Sequence, residues 1–283
     1  MFNLANLFTA ANMLCGCISI ILTLAGRIDI APFFILLAAV LDFFDGFLAR
    51  KLNIAGPLGK QLDSLADMIS FGVAPGIFML VMIILGVDNA GLMLTENGQR
   101  LFQGDLSNYV IMQELAWIRA TFYGEVNYFD ASIKYLPFIG LTIPFFSMFR
   151  LAKFNIDERQ SDRFIGVPTP LNTIFFLFFP LYFSSNIQNW GHQSKFILNL
   201  FDCYTLTGIT VLFSMLMVSN LPLIALKFKN WTWKDNYFRF TIVGISLIII
   251  PILTYWAIPI IVFLYLFLSL IENYQTKKNE IQS

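Results

Sequence analysis

Runs of apolar residues that are long enough to cross a bilayer recur along the 283-residue chain. A helix that spans the hydrocarbon core needs about 20 such residues. Eight segments approach or meet this length, and we predict a helix for each of them. They are residues 4–26, 29–49, 65–87, 134–152, 169–186, 205–226, 240–255 and 258–271. The pattern therefore predicts an all-α, polytopic integral membrane protein with about eight transmembrane helices.

Two parts of this pattern are less regular. The last two segments are short and contain Pro251 and Pro259, so they could form a tight hairpin or one broken helix. We favour the hairpin. Residues 88–133 form the longest stretch without a predicted span, and we expect a short interfacial helix around residues 108–123 within it.

Basic residues are distributed unevenly between the loops that these helices define. With eight spans, both termini and the even-numbered loops share one side, and that side carries 13 of the 18 Lys and Arg residues. Positively charged loops stay in the cytoplasm. We therefore expect a protein of the cell membrane with both termini in the cytoplasm and residues 88–133 on the opposite side.

Composition supports a membrane protein and narrows the chemistry. The chain is 57% hydrophobic and 13% charged, whereas soluble domains carry about 25% charged residues. The formal net charge is zero, and no basic field suggests a nucleic-acid partner. One His and three Cys leave little material for a zinc site or a disulfide framework.

Four aspartates interrupt the apolar pattern at a single place. Asp42 and Asp45 are three residues apart near the end of the second segment, and Asp63 and Asp67 are four apart near the start of the third. Each pair therefore lies on one face of a helix. The short connection between the segments contains Gly and Pro, so the two helices can turn back and bring the pairs together.

A cluster of carboxylates at a membrane needs a compensating charge. Each Asp at the centre of a membrane helix is penalised by roughly 2.5–3.5 kcal/mol. A divalent metal would offset this penalty, and a site made only of oxygen ligands suits Mg²⁺ or Mn²⁺. The alternative is a structural role, in which the aspartates pair with Arg50, Lys51 or Lys60.

Small residues lie one helical turn from these aspartates. Gly46 and Ala49 follow the first pair by four residues, and Gly59 precedes the second pair by four. Such positions leave room for a bulky ligand, and Arg50 supplies a cation suited to a phosphate. A metal, a cation and open space together predict a pyrophosphate site. Helix packing is the alternative role of the small residues.

The fixed residues form the string Asp-x2-Asp-Gly-x2-Ala-Arg-x8-Gly-x3-Asp-x3-Asp. At every fixed position this string resembles the signature of the CDP-alcohol phosphatidyltransferases. Residues 59–76 and 149–170 are most similar to the serine-using branch of that family, the phosphatidylserine synthases, and the close resemblance covers about residues 1–185. It implies a six-helix core within a membrane domain over residues 1–226. Residues 227–283 would add a membrane hairpin and a short cytoplasmic tail.

The resemblance also implies an activity and a set of site residues. The activity is transfer of the phosphatidyl group of CDP-diacylglycerol to the hydroxyl of L-serine, which gives phosphatidylserine and CMP. Two Mg²⁺ or Mn²⁺ ions would be held by Asp42, Asp45, Asp63 and Asp67. Asp67 would also be the general base. The residues expected to contact the CDP-lipid are Gly46, Ala49, Arg50, Gly59, Asn6, Thr9 and Asn12. Membrane lipids and a second copy of the chain, in a homodimer, are the remaining partners that it implies.

A second polar group follows the fourth predicted segment. Arg150 and Lys153 are three residues apart and Asn155 is close by. The carboxylate of serine needs a cation that the aspartates cannot provide, so we assign these three residues to the acceptor or the lipid phosphate. Anchoring at the cytoplasmic surface is the alternative for the two cations. For the stripe of Asn and Thr near the N-terminus, the alternative to a cytidine contact is hydrogen bonding between helices.

Other functions remain open from the sequence. Another member of the same family could use glycerol phosphate or inositol phosphate, although such acceptors would want more cations. Intramembrane prenyltransferases also use Asp-rich metal sites but lack the Gly-x2-Ala-Arg element. A cation transporter could use four membrane aspartates, but its site would be expected near the middle of the bilayer.

Overall fold

The computed structural model describes residues 3–54, 56–87, 105–124, 133–156, 164–224 and 233–282, and these are almost entirely helical. The helices in chain order are α1 (Leu4–Leu24), α2 (Ala31–Lys51), α3 (Pro57–Asp67), α4 (Ala74–Val87), α5 (Leu106–Ile118), α6 (Thr142–Ile156), α7 (Thr169–Asn186), α8 (Lys195–Leu200), α9 (Cys203–Val218), α10 (Trp233–Leu253) and α11 (Ala257–Gln282). Two-residue strands, β1 (Phe164–Ile165) and β2 (Pro222–Leu223), form a small antiparallel ribbon.

Each of the eight predicted segments coincides with a helix, and the prediction of a polytopic all-α membrane protein is confirmed. Five helical stretches of the described chain are long and apolar enough to span a membrane. The last, Asn236–Gln275, has 40 residues and includes the turn between α10 and α11. Some bounds differ from the prediction by eight residues or more: α9 ends at Val218 instead of residue 226, α11 continues to Gln282 instead of residue 271, and the helix of the third segment begins at Pro57 instead of residue 65. Its first turns are polar, and hydropathy detects burial in lipid but not helix formation.

The helix that carries the second Asp pair continues into the core through a π-helical segment. Residues Met68–Val73 connect α3 to α4, so that Pro57–Val87 is a single helical stretch of 31 residues. A π-helical segment rotates the side chains that follow it about the helix axis, relative to a regular α-helix. The carboxylates of α3 and the buried side chains of α4 therefore need not lie on the same face of the helix. Residues 78–86 of α4 are all buried.

Small residues allow α4 to lie very close to its neighbours. A Cβ atom added to Gly140 would lie 2.6 Å from the backbone oxygen of Gly76 and 2.6 Å from the nitrogen of Leu80. On the other side of the core, α7 packs many aromatic rings, and Phe175 stacks on Phe213 with 3.7 Å between the ring centroids. The bundle therefore has a dense centre around α4 and α7.

The last two long helices run antiparallel. Arg239, near the start of α10, lies 3.9 Å from Glu272, near the end of α11. The chain reverses at the short 3₁₀ turn Thr254–Trp256, where Thr254 has a φ of 48°. The chain therefore reverses between α10 and α11, and that these two helices form a hairpin in the membrane stays a prediction. The proposed division of the chain at residue 226 stays a prediction.

Hydrogen bonds between helices show which helix termini lie at the same end of the bundle. Thr9 of α1 bonds to Asp45 of α2, and Lys60 of α3 bonds to the backbone of Asn155 at the end of α6. Lys153 contacts Asn220 beyond α9 with 3.5 Å between the polar atoms. The end of α11 lies at the same end of the bundle, because Asn273 bonds to Pro222 in β2.

Helix α5 occupies the residues predicted for an interfacial helix and packs against the opposite end of the bundle, where Ser107 lies beside Gly26. Its interfacial position stays a prediction. Residues 88–104 and 125–132 lie outside the described chain.

Candidate active site

Three of the four aspartates meet at the junction of α2 and α3. One carboxylate oxygen from each of Asp42, Asp63 and Asp67 lies within 4.8 Å of the other two. The two helices can approach because the chain turns tightly between them, with a positive φ of 53° at Asn53, and α3 then starts with Pro57 in its first turn, where proline is tolerated. The arrangement gathers three carboxyl groups at the ends of two apolar helical stretches.

The donor set of this trio fits a divalent cation. Asp67 is only 9% exposed, and its Oδ1 atom has no hydrogen-bond partner within the described residues. A buried polar atom without a partner destabilises the fold by about 1–3 kcal/mol, and more if it is charged. Oxygen atoms in this number are the ligands that Mg²⁺ and Mn²⁺ prefer. The residues present therefore fit the metal that the sequence predicts.

The fourth carboxylate has a different environment. Asp45 is 5% exposed, and its Oδ2 atom accepts a hydrogen bond of 2.6 Å from the Thr9 hydroxyl on α1. Asp45 and Asp63 both line a cavity of about 220 Å³ between the ends of α1, α2 and α3. Asp45 thus connects the acidic cluster to this cavity.

Most of the residues predicted to contact a CDP-lipid line the same cavity. They are Asn6, Thr9, Gly46, Ala49, Arg50 and Gly59. Lys60 lines it as well, which adds a second cation to that of Arg50. The wall therefore combines carboxylates with two basic side chains, and it can attract both a cation and an anionic group bound to that cation.

Two glycines of the cavity have neighbours unlike those of a packing glycine. A Cβ atom on Gly46 would meet only the flexible guanidinium of Arg50, at 3.6 Å, and one on Gly59 would meet only the Asn6 side chain, at 3.5 Å. At Gly16, by contrast, a Cβ atom would lie 2.9 Å from the backbone of Ser70. The geometry favours ligand space over helix packing at Gly46 and Gly59.

Asn12 lies deeper along α1 than the cavity residues of the same stripe. Its side chain is fully buried, and neither its Oδ1 nor its Nδ2 atom has a hydrogen-bond partner within the described chain. Its backbone oxygen accepts a hydrogen bond of 3.0 Å from Ser70 in the π-helical segment. Asn12 therefore lies beside the helical stretch that carries Asp67. Within the described chain its side chain does not make the hydrogen bond between helices that would be its alternative role.

The three residues of the second predicted group have different surroundings. Arg150 is 6% exposed, its Nε atom donates to the Val167 oxygen at 2.7 Å, and it lies close enough to Asp67 for their charges to interact. Lys153 is exposed and turned toward Asn220. Asn155 donates to the Ser64 hydroxyl at 2.8 Å. Of these three residues, Arg150 is thus the buried cation near the acidic cluster.

Sequence reasoning missed several polar residues at the start of α7. Thr169, Asn172 and Thr173 are fully buried. Thr173 donates to the Phe71 oxygen at 2.8 Å, whereas the hydroxyl of Thr169 and both amide atoms of Asn172 have no partner within the described residues. Their spacing of three and four along an apolar segment is the signal that could have identified them.

Comparison with known proteins agrees with this geometry. A sequence profile of the CDP-alcohol phosphatidyltransferases matches residues 2–95, which include the whole acidic cluster. A CDP-diacylglycerol–serine O-phosphatidyltransferase of Bacillus subtilis (strain 168) is 30% identical over 168 residues, which are 58% of this chain and 67% of that protein. The chain belongs to the CDP-alcohol phosphatidyltransferase family.

Other members of the CDP-alcohol phosphatidyltransferase family match different lengths of the chain. A CDP-diacylglycerol–serine O-phosphatidyltransferase of Helicobacter pylori (strain J99) is 25% identical over 269 residues, or 94% of this chain and 89% of that protein. An archaetidylserine synthase of Methanothermobacter thermautotrophicus is 43% identical over 79 residues, 27% of this chain and 34% of that protein. The similarity to the H. pylori family member thus extends into the hairpin of α10 and α11.

Proposed function

We propose that this chain transfers the phosphatidyl group of CDP-diacylglycerol to the hydroxyl of L-serine and releases CMP. The observation that carries the proposal is the acidic trio of Asp42, Asp63 and Asp67 beside a cavity with two basic side chains. The B. subtilis relative and the H. pylori (strain J99) relative each match two thirds or more of their own length, and both carry the name CDP-diacylglycerol–serine O-phosphatidyltransferase. Their names support serine as the acceptor.

The acidic cluster would hold two divalent ions, Mg²⁺ or Mn²⁺. Asp42, Asp63 and Asp67 have carboxylates close enough to share an ion, and Asp45 would extend the site toward the cavity. Bound there, the metal would neutralise charge on the pyrophosphate and on the departing CMP. Its tight binding would also offset the repulsion between carboxylates that the fold brings together.

The nucleotide end of the lipid would lie in the cavity at the ends of α1, α2 and α3. Arg50 and Lys60 bind phosphate oxygens by charge-assisted hydrogen bonds. Gly46, Ala49 and Gly59 leave the space that a side chain would fill. Asn6 presents an amide to the same cavity and, with Thr9 and Asn12, is our candidate for contact with cytidine.

Asp67 is our candidate general base. Its buried Oδ1 atom is available to accept the proton of the serine hydroxyl as the serine oxygen bonds to phosphorus and the phosphorus–oxygen bond to CMP breaks. A carboxylate is a weak base for an alcohol, so correct positioning must supply part of the acceleration.

Arg150 would bind the carboxylate of serine. It is buried, so water screens its charge little, and it lies near Asp67. Lys153 and Asn155 remain candidates for the lipid phosphate near the surface. Glycerol phosphate or inositol phosphate is the second candidate acceptor. Either would bring a dianionic phosphate, which needs more positive charge than the carboxylate of serine does. Within the described residues, Arg150 is the buried cation near the acidic cluster, and this favours serine.

We further propose a homodimer in the cell membrane with the active site facing the cytoplasm. The chain is an integral membrane protein, and the acidic cluster lies at the end of the bundle where both chain termini are expected. That end carries most of the basic residues, which supports a cytoplasmic position. The nucleotide and free serine are cytoplasmic substrates in this arrangement.

CMP release from CDP-diacylglycerol tests the function directly. The purified protein in detergent would be given Mg²⁺ or Mn²⁺ and L-serine, glycerol 3-phosphate or inositol phosphate. We expect release that depends on serine and that EDTA abolishes. Asp67→Asn should lower the rate by about 10²–10⁴-fold and retain more CDP-lipid binding than Asp42→Ala. Release with another acceptor would replace serine in the proposal. A folded protein without release, but with metal-ion flux in vesicles, would establish the transporter.

A further inference from the structure

One face of α11 carries three polar side chains that all bond to the backbone of a single short segment. Tyr265, Ser269 and Asn273 follow one another at intervals of four, so they lie on the same face of the helix. The Tyr265 hydroxyl donates to the Ile224 oxygen at 2.8 Å, and Ser269 accepts from the Ile224 nitrogen at 3.2 Å. Asn273 donates to the Pro222 oxygen. We refer to these three side chains as the α11 seam.

The segment bonded to the seam consists of β2 and the next residue, Ile224, and β2 in turn pairs with the chain that leads into α7. Residues 222 and 223 pair with 165 and 164. Just beyond the ribbon, Gly166 donates to the Leu221 oxygen at 2.8 Å, and Val167 donates to the Leu216 oxygen at 3.1 Å. Gly166 has a φ of 78°, and a Cβ atom there would lie 2.3 Å from the Met217 oxygen. The backbone of residues 164–167 therefore has little freedom once β2 is fixed.

That backbone carries the acceptor of Arg150. The Val167 oxygen receives the hydrogen bond from Nε of Arg150 at 2.7 Å. Binding through Nε fixes the plane of the guanidinium and directs its other edge, formed by the two terminal nitrogens, elsewhere. This is the edge that matches a carboxylate in bidentate geometry. Tyr265 is itself close enough to Arg150 for an electrostatic interaction.

We propose that the α11 seam orients Arg150 for the acceptor, through β2, β1 and the Val167 carbonyl. Tyr265, Ser269 and Asn273 are thus positioning residues, and the C-terminal hairpin is part of the acceptor side of the enzyme. The inference rests on the proposed function and deepens it. It differs from a role as membrane anchor because an anchor would not need three side chains bonded to the backbone of one segment that leads to Arg150.

The test uses the full-length protein with Tyr265→Phe and Ser269→Ala, each of which removes one hydroxyl and preserves most of the side chain. Initial rates of CMP release would be measured against serine and, separately, against CDP-diacylglycerol. We expect KM for serine to rise by about five- to tenfold, the usual effect of one lost hydrogen bond. KM for CDP-diacylglycerol should change by less than about twofold, since no residue of the seam is among the described residues that line the cavity at α1–α3. Tyr274→Phe, on the same helix but 73% exposed, is the matched control and should behave as the wild type.

A double-mutant cycle decides whether the seam acts through Arg150. In an Arg150→Gln background, Tyr265→Phe should cause no further rise in KM for serine, because the group that it positions is gone. Full additivity would overturn the inference, and so would a fall in kcat with both KM values unchanged. Wild-type enzyme with serine-dependent release and an unaltered Tyr265→Phe variant would overturn the inference alone. Wild-type enzyme without serine-dependent release would overturn the proposed function, and this inference with it.

Discussion

Replacing Thr9 with Val removes a hydroxyl that donates a 2.6 Å hydrogen bond to Oδ2 of Asp45. Both residues are about 5% exposed, so water cannot replace the lost donor without rearrangement. Val has the shape of Thr, and the substitution therefore leaves packing between α1 and α2 largely unchanged. What changes is the orientation and stabilisation of one carboxylate at the edge of the acidic cluster.

The size of the effect follows from the character of the bond. A hydrogen bond to a charged group contributes roughly 1.5–3 kcal/mol. At about 1.4 kcal/mol for each factor of ten, its loss corresponds to roughly a 10- to 150-fold change in an equilibrium constant. Residues that orient metal ligands typically contribute about 10–100-fold to metal affinity. We therefore expect Thr9→Val to raise the Mg²⁺ or Mn²⁺ concentration for half-maximal activity by at least about tenfold.

The assay is CMP release at fixed substrates over a range of metal concentrations. Thr9→Ser keeps the hydroxyl and is the matched control, with metal dependence close to that of the wild type. If Thr9→Val has the same metal dependence as the wild type, Asp45 does not act as a metal ligand held by Thr9. A higher KM for CDP-diacylglycerol at saturating metal would instead indicate that Thr9 contacts the cytidine.

Further predictions separate activity from stability. Gly59→Ala should fold normally but lose at least about tenfold in kcat/KM for CDP-diacylglycerol, because its Cβ atom enters the cavity near Asn6. Gly86→Ala should instead lower the melting temperature, because its Cβ atom would lie 2.7 Å from the backbone oxygen of Phe201. Equal melting temperatures for the two variants would contradict this distinction. Burial raises the pKa of Glu114 from 4.5 to about 8, so the folded state retains a proton that the unfolded state loses. Stability should therefore fall as pH rises from about 4.5 to 8, by at most about 5 kcal/mol. The melting temperature, measured at intervals from pH 5 to 9, should depend less on pH for Glu114→Gln than for the wild type. Equal dependence on pH in the two proteins would refute the assignment.

Much of the architecture could be predicted because membrane helices depend mainly on local composition. The apolar segments identify every long helix. The spacing within each Asp pair, 42/45 and 63/67, together with the short connection between the two helices, is sufficient to predict that the carboxylates come together. The start of α3 at Pro57 was not predicted, since its polar first turns have no hydropathy signal. Helix formation there depends on proline geometry and on contacts with α1 and α6, and hydropathy does not measure these contacts.

Residue partners were harder to predict than helices. Arg150 and Lys153 are three residues apart, yet the first is buried against Val167 and the second is exposed near Asn220. A spacing rule gives the direction of a side chain on its own helix, but the neighbour on that side depends on tertiary packing. The α11 seam was missed for the same reason, because its partners are backbone atoms of a segment about 40 residues away.

The continuous helical stretch Pro57–Val87 has a consequence for how a lipid substrate is handled. Asp67 and Val87 are about 20 residues apart, which corresponds to roughly 30 Å of helix, the thickness of the hydrocarbon core. A bilayer with one boundary at Val87 would place Asp67 at the other, at the depth of the phosphate groups of neighbouring lipids. A diphosphate headgroup can then reach the carboxylates while its acyl chains remain in the leaflet. Moving an acyl chain from the leaflet into water would cost about 0.8 kcal/mol for each CH₂ group. A site at this depth lets the acyl chains stay in the leaflet, so the reaction does not require this free energy.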